Sequence, residues 1–93
     1  MAFSFLTQEI AMDLGTANTV IFRNDDIVMD APSIVAIDNN TGKCIAIGQQ
    51  AKLMHEHTNP GIKTIRPLRN GVIADFNAAE MMIKGFIKQV NNK

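Results

Sequence analysis

The stretch Ile10–Phe22 constrains the fold of this chain more than any other part of it. It begins as an apolar run that contains one acid, Asp13, and continues through the segment Gly-Thr-Ala-Asn at 15–18 into the β-forming residues 19–22. Apolar and β-branched residues on both sides of a short glycine-containing segment are typical of two strands joined by a tight turn. The sequence therefore predicts strand, turn, strand.

The turn carries groups suited to an anion, and a carboxylate precedes it. Strand alternation places Asp13 on the face opposite Met12 and Leu14, and a carboxylate in a half-buried strand needs a partner such as a hydrated cation. Gly15 lets a ligand approach the backbone closely, and the small residues after it can direct successive N–H groups at one anion. This combination predicts a nucleotide site. The alternative is an ordinary hairpin with a buried, satisfied aspartate, since Gly, Asn and Thr are common in turns.

Two widespread phosphate motifs do not fit the turn. A Walker loop requires Gly-Lys-Ser or Gly-Lys-Thr, which does not follow here. A dinucleotide fingerprint requires a helix after the turn, where this chain has β-forming residues.

Three segments resemble a known protein family. Asp13–Thr19 (DLGTANT) resembles the first phosphate motif of the actin, Hsp70 and sugar-kinase superfamily. With Ala31–Asp38 (APSIVAID) and Thr64–Phe76 (TIRPLRNGVIADF), in this order and spacing, it is similar to the MreB family of bacterial actin-like proteins. The resemblance extends over nearly the whole chain from Glu9 onward.

The resemblance implies a mixed α/β fold, namely part of an actin-like (ribonuclease H-like) ATPase domain with an antiparallel β-meander, a helix and a small inserted subdomain. Residues 1–31 and 67–93 would belong to the larger subdomain, and residues 32–66 would form the insertion. Members of the family are several times longer, so the chain would be an N-terminal part. The second phosphate motif, the adenosine motif and the catalytic acid would lie beyond Lys93.

The resemblance also implies a function. Family members are cytoplasmic, filament-forming ATPases that use ATP with Mg²⁺ and organise cell shape and wall synthesis at the inner membrane. Asp13 would lie near Mg²⁺, through water. Gly15, Thr16, Ala17 and Asn18 would offer backbone amides, with help from a side-chain hydroxyl or amide, to the β- and γ-phosphates. No catalytic residue is expected in this segment, which alone is expected not to hydrolyse ATP. Expected partners are further copies of the protein, the membrane surface and cell-shape adaptor proteins.

Other functions are compatible with parts of the pattern. An Hsp70-type chaperone ATPase shares the DLGT motif and a following Pro-Ser, but the segment Thr64–Phe76 is MreB-like. Sugar kinases tend to carry a second glycine where this chain has Thr16 and Ala17. The isolated segment also fits a non-enzymatic structural module.

Composition excludes several classes. Nine acidic residues balance nine basic ones, so nothing favours binding to nucleic acid. The single cysteine, Cys44, excludes an intrachain disulfide and fits a reducing cytosol. No apolar run approaches the ~18 residues needed to span a bilayer.

Further elements are predicted along the chain. A third strand is predicted at 26–30 and is interrupted by Pro32, and the runs 33–38 and 43–48 predict a β-hairpin. A short helix at Gln49–His57, a loop with scattered basic charges at 62–70 and an extended stretch at 71–74 follow. The last element is a helix from Asn77 to about Val90, which has an apolar stripe of helical period and is capped by Asp75 or Asn77.

Two expectations concern the N-terminal region. Residues 1–6 are expected to form a disordered terminus. The alternative is an apolar membrane contact through Phe3, Phe5 and Leu6. The strand near Glu9–Leu14 is expected to be an exposed edge, along which the fragment pairs into a homo-oligomer.

Overall fold

The strand-turn-strand segment lies inside an antiparallel sheet. The computed structural model describes residues 3–6, 10–57 and 59–92. The first sheet consists of β1 (Phe3–Leu6), β2 (Ile10–Leu14), β3 (Asn18–Arg23) and β4 (Asp26–Pro32). These strands lie in sequence order, and each pairs antiparallel with its neighbour. The predicted meander is confirmed.

The N-terminal region differs from the prediction. Residues 3–6 form strand β1, which pairs with β2 so that Phe3 lies opposite Leu14 and Leu6 lies opposite Ala11. The prediction of a disordered terminus is therefore wrong for this segment, while Met1 and Ala2 lie outside the described residues. The prediction that β2 is an exposed edge is also wrong, because β1 takes up its hydrogen-bonding groups. Membrane contact by the apolar side chains of residues 3–6 stays a prediction.

Pro32 does not interrupt the third strand. Strand β4 continues to Pro32, which lies opposite Asn18. Within the described residues β4 is an outer strand of this sheet, and proline is tolerated at such an edge because its missing N–H is not needed by the ladder.

A second antiparallel sheet follows, together with a two-stranded ribbon. The strands of the second sheet are β5 (Val35–Asp38), β6 (Cys44–Ile47) and β7 (Ile62–Ile65), in the order β6-β5-β7. Helix α1 (Gln49–Glu56) connects β6 to β7. The hairpin and the short helix are confirmed. The loop predicted at 62–70 is wrong, because β7 lies there and β8 (Leu68–Arg69) pairs with β9 (Val72–Ile73). Ile62 and Ile65 pack against apolar clusters, while Lys63 between them is exposed.

Helix α2 (Phe76–Asn91) carries the predicted apolar stripe into the core. Its buried residues are Ala78, Ala79, Met82, Phe86 and Val90. Asp75 is the N-cap, since its side chain accepts a hydrogen bond of 2.9 Å from the Ala78 N–H. In the part of the chain that the structure describes, no helix is long and apolar enough to cross a membrane.

The main hydrophobic cluster joins α2 to both sheets. It contains Met12, Leu14, Ile21, Val35, Ile37, Leu68, Ala78, Met82, Phe86 and Val90. A smaller cluster lies under α1 and contains Ile34, Ala36, Ala46 and Ala51. The first cluster fixes the buried face of β2 and β3, and so holds the turn between these strands at one end of the sheet.

Candidate functional site

The turn between β2 and β3 is closed by its own backbone. The Gly15 N–H donates a hydrogen bond to the Asn18 carbonyl oxygen at 3.0 Å. A Cβ atom on Gly15 would lie 2.6 Å from that same oxygen, which is closer than real Cβ contacts allow. Glycine is therefore required by the closure of the hairpin itself, in addition to the ligand approach that the sequence suggests.

Two neighbouring segments hold the turn from outside. Ser33, just after β4, donates its N–H to the Ala17 carbonyl at 2.9 Å and its hydroxyl to the Gly15 carbonyl at 2.7 Å. The Thr16 hydroxyl oxygen accepts the Gly71 N–H at 3.0 Å. Gly71 lies in the turn between β8 and β9, where its φ of 79° is in the left-handed region. The turn is thus linked to β4 and to the β8–β9 ribbon.

Asp13 lies on the exposed face of the first sheet. It is opposite Val20, which is opposite Asp30 on β4. Residues opposite one another in antiparallel strands share a face, and adjacent strands lie about 4.8 Å apart, so the backbones of the two acids are roughly 10 Å apart. Asp13 is exposed, so the alternative of a buried, satisfied aspartate is wrong. Burial also gives no reason for Asp13 to need a cation as its partner.

A cavity of about 520 Å³ opens beside the turn. Its walls come from the turn, from β4, and from the region of α1 and β7. The lining residues are Thr16, Ala17, Asn18, Asp30, Pro32, Gln49, Lys52 and Arg66. Three of the five predicted site residues therefore line one cavity, whereas Asp13 and Gly15 are not part of its lining.

The cavity presents groups that suit a polyanion. Lys52 and Arg66 bring two positive charges to the lining of the cavity. Thr16 has accepted a hydrogen bond from Gly71, so its own hydroxyl proton can be donated to a ligand. Asp30 on β4 adds one negative charge to the lining, and its Oδ1 accepts a hydrogen bond of 3.1 Å from Asn18 Nδ2. Cations and N–H donors around one cavity are the usual surroundings of phosphate groups.

Several residues of this site escape sequence reasoning. Arg66 is predicted as a scattered loop charge, and Lys52, Asp30 and Ser33 are not singled out. Lys52 lies more than thirty positions after Asn18, the last residue of the turn, so only the fold brings it to the same cavity. The sequence signal for Ser33 is its place directly after Pro32 at the end of a strand.

A model of the MreB/Mbl protein family matches residues 7–93 of the chain. The cell shape-determining protein Mbl of Bacillus subtilis is 47% identical over 87 residues, covering 92% of this chain and 26% of that protein. The cell shape-determining protein MreB of Haemophilus influenzae is 47% identical over 91 residues, with the same coverage. The chain thus spans about a quarter of the length of these relatives.

Solved structures show the same fold. The crystal structure of MreB5 of Spiroplasma citri bound to ADP superposes with a TM-score of 0.76 at 36% identity, covering 86% of this chain and 25% of that one. The structure of MreB5 bound to AMPPNP gives a TM-score of 0.70 at 36% identity, covering 85% of this chain and 23% of that one. Sequence and fold agree, and the chain belongs to the MreB/Mbl family of actin-like cell shape proteins.

Proposed function

We propose that the turn at residues 15–18 is part of the binding site for the phosphates of ATP–Mg²⁺ in an MreB-type protein. The observation that carries this proposal is the cavity that Thr16, Ala17 and Asn18 line together with Lys52 and Arg66. The chain carries no net charge, so the two cations beside the turn are a local feature, and this local positive charge supports a phosphate site. The MreB5 structures with ADP and AMPPNP support the same class of ligand.

Each residue has a proposed role. The backbone amides of Thr16, Ala17 and Asn18 and the Thr16 hydroxyl bind oxygens of the β- and γ-phosphates, while Lys52 and Arg66 balance the phosphate charge. The Gly15 N–H is not among these donors, because it is hydrogen-bonded to the Asn18 carbonyl oxygen. Asp13 holds Mg²⁺ through water, as Mg²⁺ usually keeps several waters. Among the described residues there is no group of three or more His, Cys, Asp or Glu side chains arranged for a metal. A single carboxylate, Asp13, fits an ion whose other ligands are water and phosphate oxygens.

The metal, when bound, neutralises and orients the phosphates. This chain offers positioning and charge, and we assign no catalytic residue to it. The group that activates water for hydrolysis is proposed to lie in other parts of an MreB-type protein.

We further propose that the whole protein assembles into filaments on the cytoplasmic side of the inner membrane, with adaptor proteins. The relatives are named cell shape-determining proteins, which supports a structural task. We also propose that residues 1–31 and 67–93 belong to a larger subdomain and residues 32–66 to a smaller one. The separate apolar cluster under α1 supports this division.

The nucleotide proposal is tested in a chimera in which residues 7–93 of this chain replace the matching segment of a full-length MreB. We expect Asp13→Asn to lower Mg²⁺-dependent ATP turnover at least about tenfold, because a charge that acts on the metal is lost. Glu80→Gln is the matched control, since Glu80 is an exposed acid on α2 whose Oε1 lies 3.6 Å from Lys84 Nζ. Equal turnover of the Asp13→Asn protein and the parent chimera would overturn the proposed role of Asp13.

A further inference from the structure

Two buried hydroxyl groups lie beneath the turn, and the proposed function does not use them. Thr19 and Ser33 are both 0% exposed, and their Oγ atoms are 2.8 Å apart. The Ser33 hydroxyl also lies 2.7 Å from the Gly15 carbonyl oxygen. A buried hydroxyl must find a partner, and these two find each other and the backbone of the turn.

The directions of these hydrogen bonds follow from their chemistry. A carbonyl oxygen only accepts, so Ser33 donates its single hydroxyl proton to Gly15. The proton in the contact between Thr19 and Ser33 must then come from Thr19. Thr19 therefore donates to Ser33, and Ser33 donates to the Gly15 carbonyl oxygen, so both hydroxyl protons have a single possible direction.

Ser33 thereby orients two peptide units of the turn. Its hydroxyl holds the Gly15 carbonyl and its N–H holds the Ala17 carbonyl. No cis peptide bond occurs in the described residues, and in a trans peptide the N–H points opposite to the C=O. The N–H groups of Thr16 and Asn18 therefore point away from Ser33, and both residues line the cavity.

We propose that Ser33, supported by Thr19, is a positioning residue that presents the Thr16 and Asn18 amides to the β- and γ-phosphates. This inference rests on the proposed nucleotide function. The hydroxyls never touch the ligand. If the Gly15–Thr16 peptide rotated, the Gly15 carbonyl oxygen would point toward the phosphates and repel them. The hydrogen bond from Ser33 prevents this rotation.

The test uses the full-length chimera and measures the dissociation constants of ATP and AMP by competition with a fluorescent nucleotide. Loss of one buried, well-aligned hydrogen bond corresponds to about a tenfold change in an equilibrium. We expect Ser33→Ala to weaken ATP about tenfold and AMP less than twofold, because AMP lacks the phosphates that contact the turn. Thr19→Val removes the first donor at nearly constant shape and should weaken ATP about threefold or more.

Two further variants separate positioning from stability. Thr19→Ser keeps the donor and should bind ATP within about threefold of the parent chimera. Val90→Ala removes buried apolar volume at the far end of α2, so it should lower the unfolding temperature and leave the ratio of AMP to ATP dissociation constants unchanged.

The inference is overturned if Ser33→Ala and Thr19→Val both keep the ATP affinity of the parent, or if they weaken AMP and ATP equally. It is also overturned if Val90→Ala changes the ratio as much as they do. A parent chimera that binds no ATP would instead contradict the proposed function itself.

Discussion

At the scale of single residues, the turn depends on Gly15, Ser33 and Thr16, each for a different physical reason. Gly15 leaves room for the Asn18 carbonyl, Ser33 holds two carbonyls, and Thr16 accepts the Gly71 N–H. These contacts are short and local, and they all act on the backbone of four residues. The proposed site therefore depends more on the backbone conformation of residues 15–18 than on reactive side chains.

Substitution Gly15→Ala tests the closure of the turn. The added Cβ would meet the Asn18 oxygen at 2.6 Å, so we expect a loss of about 1–3 kcal/mol in the free energy of unfolding, as for other overpacked sites. Urea unfolding of the 93-residue chain measures it. Gly61→Ala is the control, because a Cβ there would lie 3.6 Å from Asn59 Oδ1, an ordinary contact. A Gly15→Ala protein as stable as the control would show that the turn is not closed as described.

At the scale of elements, helix α2 is fixed by its stripe and its cap. The stripe packs Met82, Phe86 and Val90 against both sheets. The cap is the Asp75 carboxylate, which satisfies one of the N–H groups left free at a helix start.

Asp75→Ala should destabilise the chain by about 1 kcal/mol, since an N-cap hydrogen bond is lost. Asn77→Ala is the matched control, because Asn77 is exposed in the first turn of α2 and the cap lies two positions earlier. Its effect should stay within about 0.5 kcal/mol. Urea unfolding of both variants distinguishes the caps, and a larger loss for Asn77→Ala would contradict the assignment of Asp75.

The elements also show how far sequence reasoning reaches. Helix α2 is predicted to within one residue at each end, because its apolar period and its cap are local signals. Strands β1 and β7 are missed, since their own residues do not alternate clearly and their pairing depends on distant partners. The turn at 15–18 is predicted from local signals. Lys52 and Arg66 are not predicted to lie beside it, because only the folding of α1 and β7 brings them to the same cavity.

At the scale of the whole molecule, this chain supplies one side of the proposed nucleotide site. It spans about a quarter of the length of its relatives, and its cavity is lined by the turn, β4, helix α1 and Arg66, which follows β7. A site for a ligand of this size usually buries most of the ligand surface. The remaining walls are expected from other parts of an MreB-type protein.

The 93-residue chain alone should therefore bind ATP weakly or not at all. Isothermal titration calorimetry with Mg²⁺ should give a dissociation constant no tighter than about 1 mM, while the full-length chimera binds in the micromolar range. The chimera serves as the positive control under the same conditions. Micromolar binding by the isolated chain would show that the described cavity is sufficient by itself.

The most direct measurement is a crystal structure of the full-length chimera with Mg²⁺ and AMPPNP. We expect phosphate oxygens within about 3.2 Å of the backbone nitrogens of Thr16–Asn18, with the Ser33 hydroxyl still hydrogen-bonded to the Gly15 carbonyl. We also expect Lys52 or Arg66 beside the phosphates and a water-bridged Mg²⁺ near Asp13. A nucleotide whose phosphates lie away from the turn, with the turn amides hydrogen-bonded to protein or water, would contradict the proposed site.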